Sequence, residues 1–309
     1  MGETRLPDAA LPLWRRIELP TWMVAATIYG VWGLATWNHA ALPWWLLAPV
    51  GGYLVAWHGS LQHEAIHGHP THRRWLNTLV AFPPLGLWFP FAIYRETHLV
   101  HHRDRYLTCP INDPESYYVD ADRWAGMGGV GRGLLRLLNT LAGRLVLGPP
   151  VVAVRFWWAE LKTILAGDRQ RLGTWLLHIL AVAAVLAWVT LIARMSLARY
   201  LILFAYPGLM LTLLRSFHEH RAVAAVAERT GLVEAGPVFA LLYLNNNLHA
   251  LHHEDPSRPW YELPGVYRLR RQALIAGNDG FVFRGYGEVA KNYLFWARDT
   301  PVHPPAVIS

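Results

Sequence analysis

Residues 41–67 read ALPWWLLAPVGGYLVAWHGSLQHEAIH. The first part, Ala41 to Trp57, carries no formal charge. At 1.5 Å per residue it makes about 26 Å of helix, enough for a thin membrane crossing. The last part, His63-Glu64-Ala65-Ile66-His67, places two imidazoles four residues apart, so both lie on one helical face. An apolar span that runs directly into HxxxH predicts a metal-binding cluster at a membrane boundary.

The whole chain has the same character. It has 309 residues, 53% of them hydrophobic and only 16% charged, against about 25% charged in globular proteins. That is too little polar surface for a water-soluble shell. Sixteen tryptophans suit headgroup depth, and sixteen histidines exceed what packing requires. The single cysteine, Cys109, excludes a disulfide scaffold and a thiolate cage for zinc or iron–sulfur. The net charge of +7 does not point to nucleic acid. The arginines form no continuous basic run, and no nucleic-acid-reading motif accompanies them. Basic cytoplasmic loops account for the same number. The first apolar stretch comes too late for an ordinary cleaved signal, and Leu6 breaks the myristoylation pattern.

Three further stretches complete the expected spans. Residues 20–37 precede residues 41–57 as a hairpin partner, with Pro20 at the helix start. Residues 174–193 and 197–214 form a second hairpin joined near Arg194 and Met195, and Pro207 should kink the fourth helix. The expected fold is all-α and integral to the membrane: four transmembrane helices in two hairpins, with a cytoplasmic helical cap (215–309) holding a histidine-rich metal site. Residues 75–94 are apolar enough to span, but Pro83-Pro84 and Pro90 interrupt them. For the histidines on either side to share one site, this stretch must dip in and return, which requires a covered backbone. Residues 133–167 mix Leu and Val with Arg136, Arg144, Arg155 and Lys162, and read as interfacial amphipathic helices. Arg73, Arg74, Arg95, Arg103, Arg105, Arg123 and Arg132 mark the histidine side as cytoplasmic, a bias that Arg194 and Arg199 weaken without reversing. Pro256, Pro259-Trp260 and Pro264-Gly265 mark turns, and the tail with Tyr267, Arg270, Arg271 and Tyr286 reads as short capping helices. No internal repeat or soluble domain boundary is visible.

Beside His63 and His67, two HxxHH clusters stand out: His98-Leu99-Val100-His101-His102 and His249-Ala250-Leu251-His252-His253. On a helix each aims its first histidine together with the i+3 and i+4 partners. One HxxxH alone is as easily a pair of surface histidines; three clusters on one side of a membrane are not. Eight converging imidazoles leave room for two ions. Imidazole suits Zn, Fe, Cu and Ni, and without thiolates soft-ligand copper and iron–sulfur are disfavoured. Glu64, Glu96, Asp104, Glu219, Glu254 and Asp255 lie beside the clusters. Such acids orient ligating rings by accepting their second N–H, although any one of them can equally be a solvated surface charge.

The order HxxxH, HxxHH about thirty residues on, a helical hairpin, then HxxHH resembles the membrane fatty acid desaturase and hydroxylase superfamily, which includes alkane hydroxylases and carotenoid ketolases and hydroxylases. The resemblance runs from about His58 to Trp260. It implies a single desaturase-like domain over 1–309, with a non-haem di-iron centre beneath a four-helix membrane stalk on the cytoplasmic face. By that resemblance His63, His67, His98, His101, His102, His249, His252 and His253 are iron ligands. The family commonly adds a ninth histidine near the end of the fourth helix. His218 and His220 are two apart and on a helix face about 200° away from each other. The Glu-His setting of His220 resembles the alkane hydroxylase motif, which selects His220; His58, His69 and His72 are runners-up. Asn245, Asn246 and Asn247 precede the third cluster, either bonding a ligand, as an Asn does in relatives, or capping the helix. Glu64, Glu219, Asn246, Asn247 and Glu254 are the candidates for supporting the ligands. His39, His178 and His303 read as structural.

Iron held by nitrogen can reduce O2 and make an oxidant that takes hydrogen from an unactivated C–H bond, in a pocket dry enough to protect it. No flavin or nicotinamide fingerprint appears, so electrons come from a separate ferredoxin-, rubredoxin- or cytochrome b5-like protein and its reductase. A basic cytoplasmic face attracts an acidic carrier. The expected reaction is O2-dependent oxidation of a lipid acyl chain, desaturation ahead of hydroxylation, with carotenoid ketolation or hydroxylation as the alternative. Trp75, Trp88, Phe89, Phe91 and Tyr94 are candidates for the substrate slot wall or for interface anchors. An intramembrane zinc protease is a rival because residues 63–67 fit HExxH, but one ion with about three protein ligands leaves both HxxHH clusters unexplained. A soluble di-iron carboxylate enzyme needs two ExxH motifs, and only Glu64–His67 fits. A metal carrier needs polar residues along its spans, which are nearly empty of them.

Overall fold

The computed structural model describes residues 11–103 and 107–304. Asp104 and Arg105, named above, lie outside the described residues, as do Met1 to Ala10 and the last five residues.

A short helix α1 (Leu13–Arg16) leads into α2 (Leu19–Trp37), with Pro20 in its first turn where no intrahelical N–H is lost. α3 (Trp44–Ile66) begins after Pro43 and is one unbroken 23-residue helix, so the apolar run and the first histidine cluster share a single rod. Chain reversal follows through α4 (Arg74–Ala81) and α5 (Phe91–His101). Next come α6 (Ala121–Gly126), α7 (Gly129–Leu138), α8 (Leu141–Val146) and α9 (Gly148–Leu165), the first capped by Asp120, whose carboxylate accepts the Arg123 N–H, and the third by Thr140.

α10 (Arg169–Ala187) is capped by Asp168 and runs on as a π-helical segment, Trp188–Ile192. The fourth long helix is composite. α11 (Leu197–Tyr200) passes through a π segment, Leu201–Ala205, into α12 (Tyr206–Ser216). The π turn lies immediately before Pro207, whose ring removes the N–H that the Leu203 carbonyl would accept. The predicted kink is thus accommodated by a wider turn. Gly51 lies against that segment, where a Cβ would strike the Leu203 oxygen, and a Cβ on Gly208 would strike Val55. Glycine at these positions lets α3 and α12 approach closely.

The tail carries α13 (Pro237–Leu242), α14 (His249–Glu254), α15 (Leu263–Gly277) and α16 (Tyr286–Tyr293). Two two-residue strands, β1 (Leu232–Val233) and β2 (Val282–Phe283), pair in parallel, a small departure from an all-helical expectation. They tie the α13–α14 region to α16 over a core of Leu232, Leu248, Leu251, Leu263 and Leu274.

Two described helices are long and apolar enough to cross a membrane, Arg169–Ile192 and Leu197–Ser216. α2 and α3 have the length, 19 and 23 residues, but Trp, Gly, Tyr and Thr dilute their hydropathy. α10 turns Leu172, Leu176, Leu177, Ile179 and Leu180 outward, and α2 does the same with Met23, Val31, Leu34 and Trp37.

The proline-interrupted stretch 75–94 does not run through as one helix. It reverses at residues 82–90, and protein covers its non-helical backbone. Tyr29 Oη donates to the Val80 carbonyl at 2.6 Å and Tyr200 Oη to that of Leu85 at 2.7 Å. Trp157 Nε1 donates to the carbonyl of Trp88 at 2.9 Å. His178 Nε2 lies 3.1 Å from the Leu87 oxygen, which gives that buried histidine the structural role expected of it. The carbonyls of Val80, Leu85, Leu87 and Trp88 thus meet side chains of other elements. The reversal brings the ends of α3 and α5 to the same place.

Candidate metal centre

Three helix ends and one turn supply the site. α3 gives His63 and, at its C-terminal cap, His67; α5 gives His98 and His101, with His102 at its cap; α14 gives His249, His252 and His253. His220 sits beyond α12, paired across an isolated bridge with Thr230 rather than on a helix. The chain between His218 and His220 is a turn running into the bridge, so helical phase does not set their relative direction.

The nine imidazoles fall into two groups, each able to hold a metal ion: His63, His67, His98, His102 and His252 in one, His101, His220, His249 and His253 in the other. The boxes are shared between them. In each HxxHH the i and i+4 residues go to one group and the i+3 residue to the other. The groups adjoin, since His102 stacks on His253 with ring centroids 4.3 Å apart.

The donor atoms converge. Nε2 of His67 lies 3.0 Å from that of His98, and Nε2 of His252 lies 3.2 Å from that of His102. In the second group, Nε2 of His220 lies 3.0 Å from both His101 and His249, and Nε2 of His253 lies 3.1 Å from His249. Two nitrogens at right angles around an ion, each at about 2.1 Å, stand about 3.0 Å apart, so these spacings fit a shared cation. Burial first, and neighbouring imidazoles second, push His220, His249, His252 and His253 well below the usual histidine range. The rings are neutral and their lone pairs are available. His101 moves the other way: burial opposes its charge, but Glu115 and Asp113 outweigh it and lift it to about 9.

The opposite ring nitrogens are held by groups that fix the tautomer. His98 Nδ1 lies 3.0 Å from Glu115 Oε1, and His101 Nδ1 lies 2.9 Å from Asp113 Oδ1. Asn246 spans the two groups. Its Oδ1 accepts from His249 Nδ1 at 3.0 Å, and its Nδ2 lies 3.3 Å from His63 Nε2. Burial works against the Glu115 charge, yet His98, His101 and Arg215 hold its carboxyl down to about 2.

Of the predicted supporting residues, Glu64 is buried, accepts the Trp260 backbone N–H at 3.3 Å and comes within 3.6 Å of His63 Nδ1. Glu219 faces Arg215 at 2.9 Å and His249 Nδ1 at 3.6 Å. Asn247 is spent on the Val233 carbonyl and Asn245 on that of Trp260. Glu254 points away to Arg270 at the surface, Glu96 to Arg171 and Asp255 to Arg258. Asp113 and Glu115 escaped the sequence reading because they lie in a turn, 12 and 17 residues beyond the rings they hold. The only available signal was an acidic pair shortly after the second cluster.

The runner-up histidines lie outside both groups. His58 bonds Tyr29 Oη at 3.1 Å, and His69 bonds Glu18 Oε1 at 2.5 Å. His218 is caged by Phe217, Phe283 and Tyr293, with neither ring nitrogen bonded. His303 lies 3.0 Å from Thr108 Oγ1.

A cavity of about 490 Å³ reaches His220 and Glu219 at one end and Val55, Gly86, Leu87 and Trp88 at the other. Of the five aromatics named from sequence, Trp88, Phe89 and Tyr94 line it. Trp75 faces outward, and Phe91 packs with Ala65, Ile66 and Ala81.

The fatty acid desaturase family model matches residues 39–284, well over half of the chain and all nine histidines. The chain belongs to the fatty acid desaturase family. No curated protein matches it. Membership makes it a membrane-associated oxidoreductase, in a family that uses iron and generally draws on electron donors and lipid substrates. The nine histidines of the two groups all fall within the matched residues, and the cavity reaches one of them, His220.

Proposed function

We propose that this desaturase-family chain carries out O2-dependent oxidation of an unactivated C–H bond in a lipid acyl chain at a pair of iron ions, desaturation ahead of hydroxylation. One observation carries the reading: two adjoining groups of buried and half-buried imidazoles, five and four, beside a 490 Å³ apolar cavity. His63, His67, His98, His102 and His252 hold one ion and His101, His220, His249 and His253 the other. Iron bound there supplies the reduction of O2 and the oxidant for hydrogen abstraction.

The chain's own residues do the rest. Asp113, Glu115 and Asn246 keep His101, His98 and His249 in the orientation that turns their Nε2 atoms inward. The cavity walls keep water from the reacting carbon, and their length and shape decide which carbon stops beside His220. α2, α3, α10 and the composite α11–α12 form two membrane hairpins, with α4–α9 at the interface and α13–α16 as a cytoplasmic cap over the site. The reading is supported by α10, which buries few of its side chains in the protein and offers leucine to its surroundings. Electrons arrive from a separate carrier protein attracted to the basic cytoplasmic side. The protease alternative is poorly supported, because His63 and His67 share their group with His98, His102 and His252.

Lipid and pigment extracts from cells with and without the gene, compared by mass spectrometry, test the substrate. New unsaturated or hydroxylated acyl chains support the proposal. An unchanged acyl profile with altered carotenoids overturns it in favour of the ketolase alternative.

A further inference from the structure

The cavity beside the histidines is lined by three arginines, and one lacks a counter-charge. Arg215 faces Glu219 at 2.9 Å. Arg298 faces Asp299 at 3.0 Å and donates to Tyr118 Oη at 2.7 Å. Arg155 has no ion pair or hydrogen bond with the described residues, and the titratable groups nearest to it are Arg123 and Tyr117. Burial and then Arg123 push its pKa below the usual arginine range. The side chain is exposed rather than packed away, and a guanidinium that lines an apolar cavity with no protein anion beside it is placed to meet one carried by a ligand.

Its place in the fold says what that ligand looks like. Val152, Arg155, Phe156 and Ala159 are spaced i, i+3, i+4 and i+7 on α9, one helical face, and all four line the cavity. Beside Arg155 opens a niche of about 30 Å³, which it shares with Arg144, Arg298, Tyr117 and Tyr118. That is space for two or three water-sized groups. Arg144 is already committed there, stacked 3.9 Å from the Tyr117 ring and bonded to the Leu138 carbonyl at 3.0 Å. Tyr117 Oη in turn meets Ser216 Oγ at 3.0 Å, which ties the niche to the end of α12, while the next residue on α9, Phe156, packs on Phe89 with ring centroids 4.9 Å apart.

We propose that Arg155 anchors the head of the substrate by pairing with an oxyanion, carboxylate or phosphate, at the end of an aliphatic chain whose hydrocarbon lies along the cavity. The inference rests on the acyl-chain reading above and sharpens it. The guanidinium fork matches either oxyanion bidentately. A neutral polyene would leave the charge bare. With the head fixed on α9, the oxidised carbon is set by its distance from the head, not from the methyl end.

The purified full chain in neutral detergent, titrated by tryptophan fluorescence, tests this. The three probes are a long-chain carboxylate, an alkyl phosphate and the alcohol of equal length. Binding of the anions at least about tenfold tighter than the alcohol, a charged hydrogen bond's worth, with Arg155→Gln erasing that preference and sparing the alcohol, is the expected result. Whichever anion binds tighter identifies the head. If Arg155→Gln weakens all three alike, or none, the anchor is overturned while the acyl-chain reading stands. If the metal-loaded wild-type chain takes up none of the three, the acyl-chain reading falls and the anchor with it.

Discussion

Nδ1 of His101 lies 2.9 Å from Oδ1 of Asp113, with both side chains buried. The same carboxylate accepts the backbone N–H of Thr108 at 2.8 Å and of Glu115 at 2.9 Å. One acid therefore fixes both the ring and the turn that delivers Glu115 to His98. Removing a carboxylate that orients a ligating histidine typically costs about 10–100-fold in metal affinity. Asp113→Asn is expected to fall in that range, measured by chelator competition on the purified chain. Wild-type affinity in the variant would mean that Asp113 shapes only the turn.

His218 and His220 separate cleanly. His220→Ala takes a donor from the four-histidine group, so metal content and activity should drop sharply. His218 packs against Phe217, Phe283 and Tyr293, and neither ring nitrogen has a hydrogen-bond partner among the described residues, so His218→Phe should keep its metal and melt within a few degrees of wild type. Elemental analysis of the two variants side by side checks this, and metal loss in His218→Phe would reverse the assignment.

Gly59 lines the cavity, and a Cβ there meets nothing nearer than Thr212 Oγ1 at 3.8 Å. Gly59→Leu should fold at least as well as wild type, since leucine is favoured over glycine in a helix by about 1 kcal/mol. It should retain metal yet lose most turnover of long chains as the slot narrows. Turnover assays over a series of chain lengths provide the check; unimpaired oxidation of the longest chain would place the substrate elsewhere.

Gly51→Ala tests the packing of α3 against the π segment. The new methyl would press on the Leu203 carbonyl and the Phe204 ring. Overpacking of this kind costs about 1–3 kcal/mol, and thermal melts in detergent should show the loss. An unchanged melting temperature would mean that the two helices part without cost.

The three clusters were legible because ligand spacing is local: three or four residues along a helix fix which way a ring points, whereas His220, singled out by its Glu-His setting, stands on a bridge beyond α12. The reversal at residues 82–90 was legible too, from the prolines together with the need for His67 and His98 to meet. The division of each HxxHH between two groups was not, because it depends on how α5 and α14 face each other across the site. Nor were the supporting acids. Glu254 and Glu96 adjoin the boxes in sequence but point to Arg270 and Arg171, whereas Asp113 and Glu115 reach the rings through a turn that no periodicity marks. Four apolar runs read easily as spans, yet of the described helices two, Arg169–Ile192 and Leu197–Ser216, are long and apolar enough to cross a membrane; α2 and α3 spend much of their surface on tryptophan, tyrosine and glycine, which hydropathy scores weakly.

The most direct test of the central claim is the metal content of the purified full chain, with His67→Ala and His220→Ala as variants, one from each group. The account predicts two irons per chain in the wild type and loss of about one in each variant, assayed by elemental mass spectrometry. A single zinc per chain, released by His67→Ala and untouched by His220→Ala, would contradict it.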